Sequence, residues 1–248
     1  MNIVIQKLRM AVYSVLYQMK HISVISVMEK KNNAYVFLKK KWFVPNGISL
    51  ERYITRSMSR EECRKALGLK ANDKCVFLLG WDLKRKGLDI ALKAIQKCRE
   101  MDTSICFGMI GVGTRPADYA IKFIEKETGL NPVEPRIHFF DSYEDMFAVY
   151  RAVDVYLSAS RKEAFSYGLL EAISQNMPVG VSDIPGTKWA ALYHNSYFYP
   201  VEEVGACAVA ISKALLSGRR ETNASEVMDK YGIDQWCDRI IEIYHSVG

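Results

Sequence analysis

The stretch "DVYLSASRKEAFSYGLLEAISQNMPVGVS" (Asp154–Ser182) decides the fold. It opens on an apolar run, "DVYLSA" (Asp154–Ala159), crosses a polar loop, and takes on helical character from about Phe165 or Ser166. It closes on a second run, "PVGVS" (Pro178–Ser182). Neither run alternates apolar with polar as a half-solvated strand does, so both faces of each strand are expected to be covered, as in a parallel sheet. Strand, helix and strand together make one βαβ unit.

The same rhythm extends in both directions. Further strand candidates are "CVFLLG" (Cys75–Gly80), "ICFGMI" (Ile105–Ile110), "RIHFF" (Arg136–Phe140) and "SYFYP" (Ser196–Pro200). Helical patterns lie between them. In "GLDIALKAIQKCRE" the residues Leu88, Ala91, Leu92, Ile95 and Cys98 share one face. Two closing helices, about Ser225–Lys230 and Asp234–His245, are split by "YGI". The fold class expected is α/β: a doubly wound, Rossmann-like parallel sheet over residues 41–248.

Residues 1–40 stand outside that rhythm. They hold an amphipathic pattern (Ile3, Leu8, Val12, Val15, Leu16, Met19), a short strand candidate "HISVIS" and a Lys-rich connector, and they read as the edge of an N-terminal domain. No internal repeat is evident.

A chain of 248 residues with 49% hydrophobic and 25% charged residues can bury a full core. The net charge of +6 is concentrated in residues 1–60, which hold 11 Lys or Arg against 2 acids. A basic, aromatic-bearing segment such as "FLKKKWF" (Phe37–Phe43) suits an anionic membrane surface, and equally a solvated run at a domain edge. No nucleic-acid module is present, so nucleic acid is not an expected partner.

The six cysteines form no C-x-x-C pair and have no histidine near them in sequence, so no metal site is expected. They read as reduced, buried thiols of a cytoplasmic protein, with peripheral contact at the inner membrane face through residues 1–60 left open. No apolar run reaches the ~18 residues needed to cross a bilayer. His21, His138, His194 and His245 are scattered without a Ser or Cys partner for a triad, and His138, within a strand, reads as a core histidine.

In a doubly wound sheet ligands sit beyond the carboxyl ends of the strands. After the first strand, "GWDLKRKGLDI" sets Lys84, Arg85 and Lys86 before Gly87 and a helix N-terminus, where charge and amides converge as a phosphate requires. A basic turn capping a helix would read the same. After the second strand, Gly111 and Gly113 of "GVGTRP" allow close approach of a ligand, but Pro116 replaces the third glycine of a dinucleotide fingerprint. After the fourth strand, Glu163 stands at a helix start and Glu171 more than a turn further on. One carboxylate could bind paired sugar hydroxyls, the other a ribose, and the amides between them a diphosphate. An N-terminal Glu favoured by the helix dipole and a second Glu on a solvated face is the ordinary alternative.

Taken in order, "VPNG" (Val44–Gly47), Lys86-Gly87, Gly111-x-Gly113, "DVYLSASRKEAFSYGLLEA" and "PVGVSDIPGT" (Pro178–Thr187) resemble the nucleotide-binding half of a retaining family-4 glycosyltransferase with the two-domain GT-B fold. The resemblance spans about residues 40–248. It implies that Glu163 contacts the donor sugar and that Lys86 pairs with the diphosphate, these two being the catalytic residues. It further implies that Glu171 holds the ribose, that amides at Ala164, Phe165 and Ser166 complete the phosphate cradle, and that no metal or other cofactor is needed beside the nucleotide-diphosphate sugar. An acceptor glycan or lipid-linked glycan is implied as well, with a separate N-terminal acceptor-binding partner; a non-catalytic subunit that keeps the fold is the alternative.

Departures from the family pattern are local. Trp81 follows Gly80 where the family has Arg, so Lys84 or Arg85 would stand in. Ala164-Phe165-Ser166 replaces Gly-Phe-Gly, Asn176-Met177 replaces a glycine before "PV", and Ser49 replaces an Asp.

Overall fold

In the computed structural model, residues 24–25, 42–49, 58–80, 82–110, 117–129, 137–140, 146–219 and 223–245 are described. A two-residue strand β1 (Val24–Ile25) pairs in parallel with β2 (Trp42–Phe43). The expected amphipathic helix over the first twenty residues and the Lys-rich connector lie outside the described residues.

The main body is a six-stranded sheet. Its elements are α1 (Arg60–Ala66), β3 (Lys74–Leu79), α2 (Leu88–Met101), β4 (Ile105–Ile110), α3 (Ala117–Thr128), β5 (Ile137–Phe139), α4 (Met146–Ala152) and β6 (Val155–Ser158). They continue through α5 (Tyr167–Ser174), β7 (Val179–Ser182), a 3-10 segment (Pro185–Leu192), β8 (Ser196–Tyr199), α6 (Val204–Ser217), α7 (Asn223–Tyr231) and α8 (Ile233–His245). The strands run in the order β5-β4-β3-β6-β7-β8, and every pairing is parallel. The chain winds outward from β3 to β5, returns to lay β6 beside β3, and winds outward again to β8. The reversal between β3 and β6 is the topological switch point, where two neighbouring loops diverge and leave a crevice.

Successive strand residues point to opposite faces, and each face has its own core. On β3, Cys75 and Phe77 join Tyr150, Tyr156, Leu170 and Trp189 on one side. Val76 and Leu78 join Leu92, Ile95, Leu157 and Ile211 on the other. A strand buried on both faces has no polar positions to alternate, which is why these runs read as continuous apolar sequence.

Helix α1 begins at a capping box: Ser59 Oγ accepts from the Glu62 amide at 3.2 Å, and the Glu62 carboxylate accepts from the Ser59 amide at 2.7 Å. At the other end of the chain, the Ile48 amide donates to the Tyr231 carbonyl at 2.8 Å. A Cβ at Gly47 would lie 2.5 Å from Cβ of Trp236, so the "VPNG" segment is seated on the α7–α8 junction. Among the described residues no helix is long and apolar enough to cross a membrane.

Candidate functional site

Two loops meet at the switch point: residues 80–87 after β3 and residues 159–166 after β6. They touch backbone to backbone. Gly87 adopts φ +69°, and a Cβ there would fall 2.0 Å from the Ala159 carbonyl oxygen. The Arg161 amide donates to the Arg85 carbonyl at 2.8 Å. A glycine is thus required at position 87 twice over, by its left-handed backbone and by the missing space.

Arg161 clamps the second loop to the helices on either side. Its guanidinium donates to both carboxylate oxygens of Asp89 on α2, at 2.9 and 2.7 Å, to Glu202 before α6 at 2.6 Å, and to the Lys84 carbonyl. Burial works to raise the Asp89 carboxyl, but the hydrogen bonds and charge of Arg161 outweigh it and hold the group below its ordinary value. A depressed folded-state value means that the stabilisation is present above the unfolded carboxylate range and is lost as pH falls through the folded value. Asp89→Asn is therefore expected to destabilise the chain at pH 7 by about 1–2 kcal/mol. That penalty should shrink toward zero as the solution is acidified below about pH 4, near the unfolded carboxyl value. Urea denaturation of both proteins across this range checks it, and a penalty independent of pH would refute the ion-pair assignment.

Glu163 is the focus of the crevice. Its side chain is 9% exposed and receives Lys86 Nζ, Arg85 Nη1 at 3.2 Å and the Ser160 hydroxyl at 2.9 Å. The Lys86 side chain is 16% exposed and folds over Gly80, where a Cβ would approach its carbon chain to 2.6 Å. Beyond Glu163, a Cβ at Gly186 would fall 2.0 Å from the Glu163 carbonyl oxygen, so the residues after β7 close the far side of the loop.

Helix α5 starts directly after this loop. Ser166 is its N-cap, with Oγ accepting from the Leu169 amide at 3.4 Å, and Tyr167 is the first helical residue; the expected start was one or two residues earlier. The Phe165 side chain turns away from the crevice, stacking on Trp189 at 5.2 Å and lying 5.8 Å from Tyr231. Ala164 is exposed.

Glu171, in the second turn of α5, is 8% exposed and accepts from the Tyr150 hydroxyl at 2.9 Å. The reading in which it sits on a solvated face is excluded. A buried carboxylate beside an apolar core is costly unless it is hydrogen-bonded, and Tyr150 on α4 supplies one such bond. Sequence reasoning missed Tyr150, because a tyrosine in the apolar helix "MFAVYRA" carries no local sign of its partner.

Of the three cations in the first loop, the structure brings Lys86 and Arg85 to Glu163 and leaves the Lys84 side chain exposed. Arg85 also pairs with Asp82 at 3.1 Å. Gly111, Gly113 and Trp81 lie outside the described residues.

The switch-point crevice thus holds a Lys–Arg–Glu cluster against a helix start, with Lys86 and Glu163 shielded from water and Arg85 at its partly exposed edge, an arrangement suited to an anionic, hydroxyl-bearing ligand. The family described as "Glycosyl transferases group 1" matches residues 59–235. The D-inositol 3-phosphate glycosyltransferase of Corynebacterium glutamicum is 29% identical over 152 residues, covering 58% of this chain and 35% of its own length. The lipopolysaccharide glucosyltransferase WaaG of Escherichia coli is 26% identical over 145 residues, covering 58% of this chain and 37% of its own. The chain therefore spans little more than a third of the length of these relatives. Anabaena HepE, solved in complex with UDP-glucose, superposes with a TM-score of 0.76 at 17% identity, covering 97% of this chain and 68% of that one. With the family matched over more than half of its length, this chain belongs to the glycosyl transferases group 1 family.

Proposed function

We propose that the chain is the donor-binding half of a retaining glycosyltransferase that moves a sugar from a nucleotide-diphosphate sugar to an acceptor glycan or lipid-linked glycan. The observation that carries this is the Lys86–Glu163 pair at the switch point, eight positions ahead of the buried Glu171. Glu163 accepts hydrogen bonds from hydroxyls of the donor sugar. Lys86 meets the diphosphate with help from Arg85 and from amides at Ala164, Phe165 and Ser166, and Lys84, at the exposed rim, adds long-range attraction. Glu171, fixed by Tyr150, accepts from the ribose hydroxyls.

In the transfer, the bond from the anomeric carbon to the diphosphate oxygen breaks and its electron pair leaves with the diphosphate. The acceptor oxygen bonds to the same face of that carbon and gives up its proton to the departing diphosphate oxygen. Charge builds on the leaving oxygen, and a preset cation in a water-excluded crevice stabilises it more than water would. In this reading Lys86 and Arg85 supply that charge, and no metal is assigned to the transfer. The acceptor site is assigned to a separate acceptor-binding half. The basic residues 1–60 would give that assembly peripheral contact with an anionic membrane.

Titration calorimetry with UDP, UDP-glucose, GDP and ADP tests the donor assignment, UDP being the first probe because HepE was solved with UDP-glucose. One site is expected, and Glu171→Ala should weaken binding about 10- to 100-fold, the worth of a hydrogen bond to a charged group. A folded chain that binds none of the four nucleotides would overturn the proposal. Turnover on adding an acceptor-binding half separates an enzyme from a non-catalytic binding subunit.

A further inference from the structure

A second cluster lies at the opposite ends of the strands from the switch-point crevice. Asp73 precedes β3, Cys75 and Cys106 are direct partners on β3 and β4, and His138 on β5 pairs with Gly108 two residues beyond Cys106. Because side chains two apart share a sheet face, this register gathers Asp73, Cys75, Cys106 and His138 on one face. A carboxylate oxygen of Asp73, Sγ of Cys106 and a ring nitrogen of His138 lie within 4.8 Å of one another. Cys75 and Cys106 lie within hydrogen-bonding reach of each other.

Three further features mark the cluster. His138 Nε2 is buried and makes no hydrogen bond. Asp73 is held in place by the Lys70 amide, which donates to its carboxylate at 2.9 Å, and by Arg64, which donates to its carbonyl at 2.6 Å. Gly108 keeps the centre open, since a Cβ there would lie 2.9 Å from Cys75 Sγ and 2.6 Å from the Phe140 ring. Spacing along the sequence gave no hint of a metal site, because the donors come from three strands and only the register unites them.

We propose that Asp73, Cys106 and His138, with Cys75 as the fourth donor, form a structural site for a thiophilic divalent cation, zinc first. Thiolate, imidazole and carboxylate together are a zinc-type donor set and a poor one for calcium or magnesium. Tetrahedral zinc ligands stand about 3.5 Å apart, so Asp73, Cys106 and His138, within 4.8 Å of one another, close by roughly 1.3 Å at most. With four protein donors and both cysteines fully buried, no position opens to substrate, and the ion ties β3, β4 and β5 together rather than taking part in catalysis.

The test uses the 248-residue chain, incubated with one equivalent of zinc or cobalt and then desalted. One metal per chain by elemental analysis is expected. With cobalt, a thiolate-to-metal charge-transfer band should appear, be lost in Cys106→Ser and weaken strongly in His138→Gln. Zinc should also raise the melting temperature, and a chelator should reverse the rise. Should Cys106→Ser fail to fold, His138→Gln at the half-buried position serves in its place. A folded wild-type chain that retains neither metal and shows no charge-transfer band overturns the proposal and leaves the cluster as hydrogen-bonded core thiols.

Discussion

Gly87→Ala is expected to lower the melting temperature by roughly 6–12 °C, the largest stability effect of any single methyl group near the crevice. The added Cβ would stand 2.0 Å from the Ala159 carbonyl oxygen, which is backbone and cannot swing aside. Overpacking of this kind costs about 1–3 kcal/mol, and holding a non-glycine residue at φ +69° adds a comparable strain, for a total near 3 kcal/mol. Relief requires the β3 and β6 loops to part, which breaks the bond from the Arg161 amide to the Arg85 carbonyl and moves Lys86 relative to Glu163. UDP affinity should therefore fall together with stability. Gly205→Ala is the control. It sits in the first turn of α6 with nothing within 4 Å of its Cβ, so the substitution should leave melting unchanged or raise it slightly. Thermal melts followed by circular dichroism measure both, and a Gly87→Ala protein melting within about 1 °C of wild type would show that the two loops are not locked together.

What the sequence made legible is what periodicity and local backbone demand can encode. The six strand candidates of the main sheet fall within two residues of the observed strands, because a strand buried on both faces must be apolar throughout and its boundaries are marked by Gly, Pro and Asp. Asn176 illustrates the backbone side. It stands where the resembling family has glycine, and it adopts φ +57°, a conformation that asparagine tolerates better than most other residues. The carboxyl ends of the strands were legible as the ligand side, but the strand order that puts the switch point between β3 and β6 was not, since alternation of strand and helix leaves the pairing open.

Pairings made across the fold were not legible. Lys86 and Glu163 are 77 positions apart, Arg161 and Asp89 72 apart, and Tyr150 and Glu171 21 apart; each pair is set by how the sheet closes rather than by neighbours in the chain. Phe165 shows the limit within a motif: its amide is the part expected at the phosphate cradle, and nothing around it in the chain says that its ring packs on Trp189 and Tyr231. For Glu171 the sequence leaves a ribose-binding and a solvated carboxylate both open until its burial beside Tyr150 is seen.

Lys86→Ala is expected to weaken UDP binding and Glu163→Gln to leave it unchanged or tighten it, while both abolish most turnover. Lys86 is bonded to a carboxylate in the free protein, so an arriving diphosphate competes with Glu163 for it and is repelled by that carboxylate. Removing the cation leaves Glu163 with Arg85 and Ser160 as partners, so the fold should survive. The diphosphate then loses its least exposed counter-charge. UDP affinity should drop about 10- to 100-fold, as for loss of a hydrogen bond to a charged group. Turnover measured with the acceptor-binding half should drop about 100- to 1000-fold, as for loss of one preset donor to a developing anion. Neutralising Glu163 instead removes the repulsion and releases Lys86, so UDP should bind as tightly as to wild type or tighter, while the sugar loses the carboxylate that positions its hydroxyls. Calorimetry with UDP and turnover of UDP-glucose separate the two roles. If both substitutions weaken UDP, Glu163 supports the loop and not the sugar; if neither changes binding or turnover, the donor does not sit at the switch point.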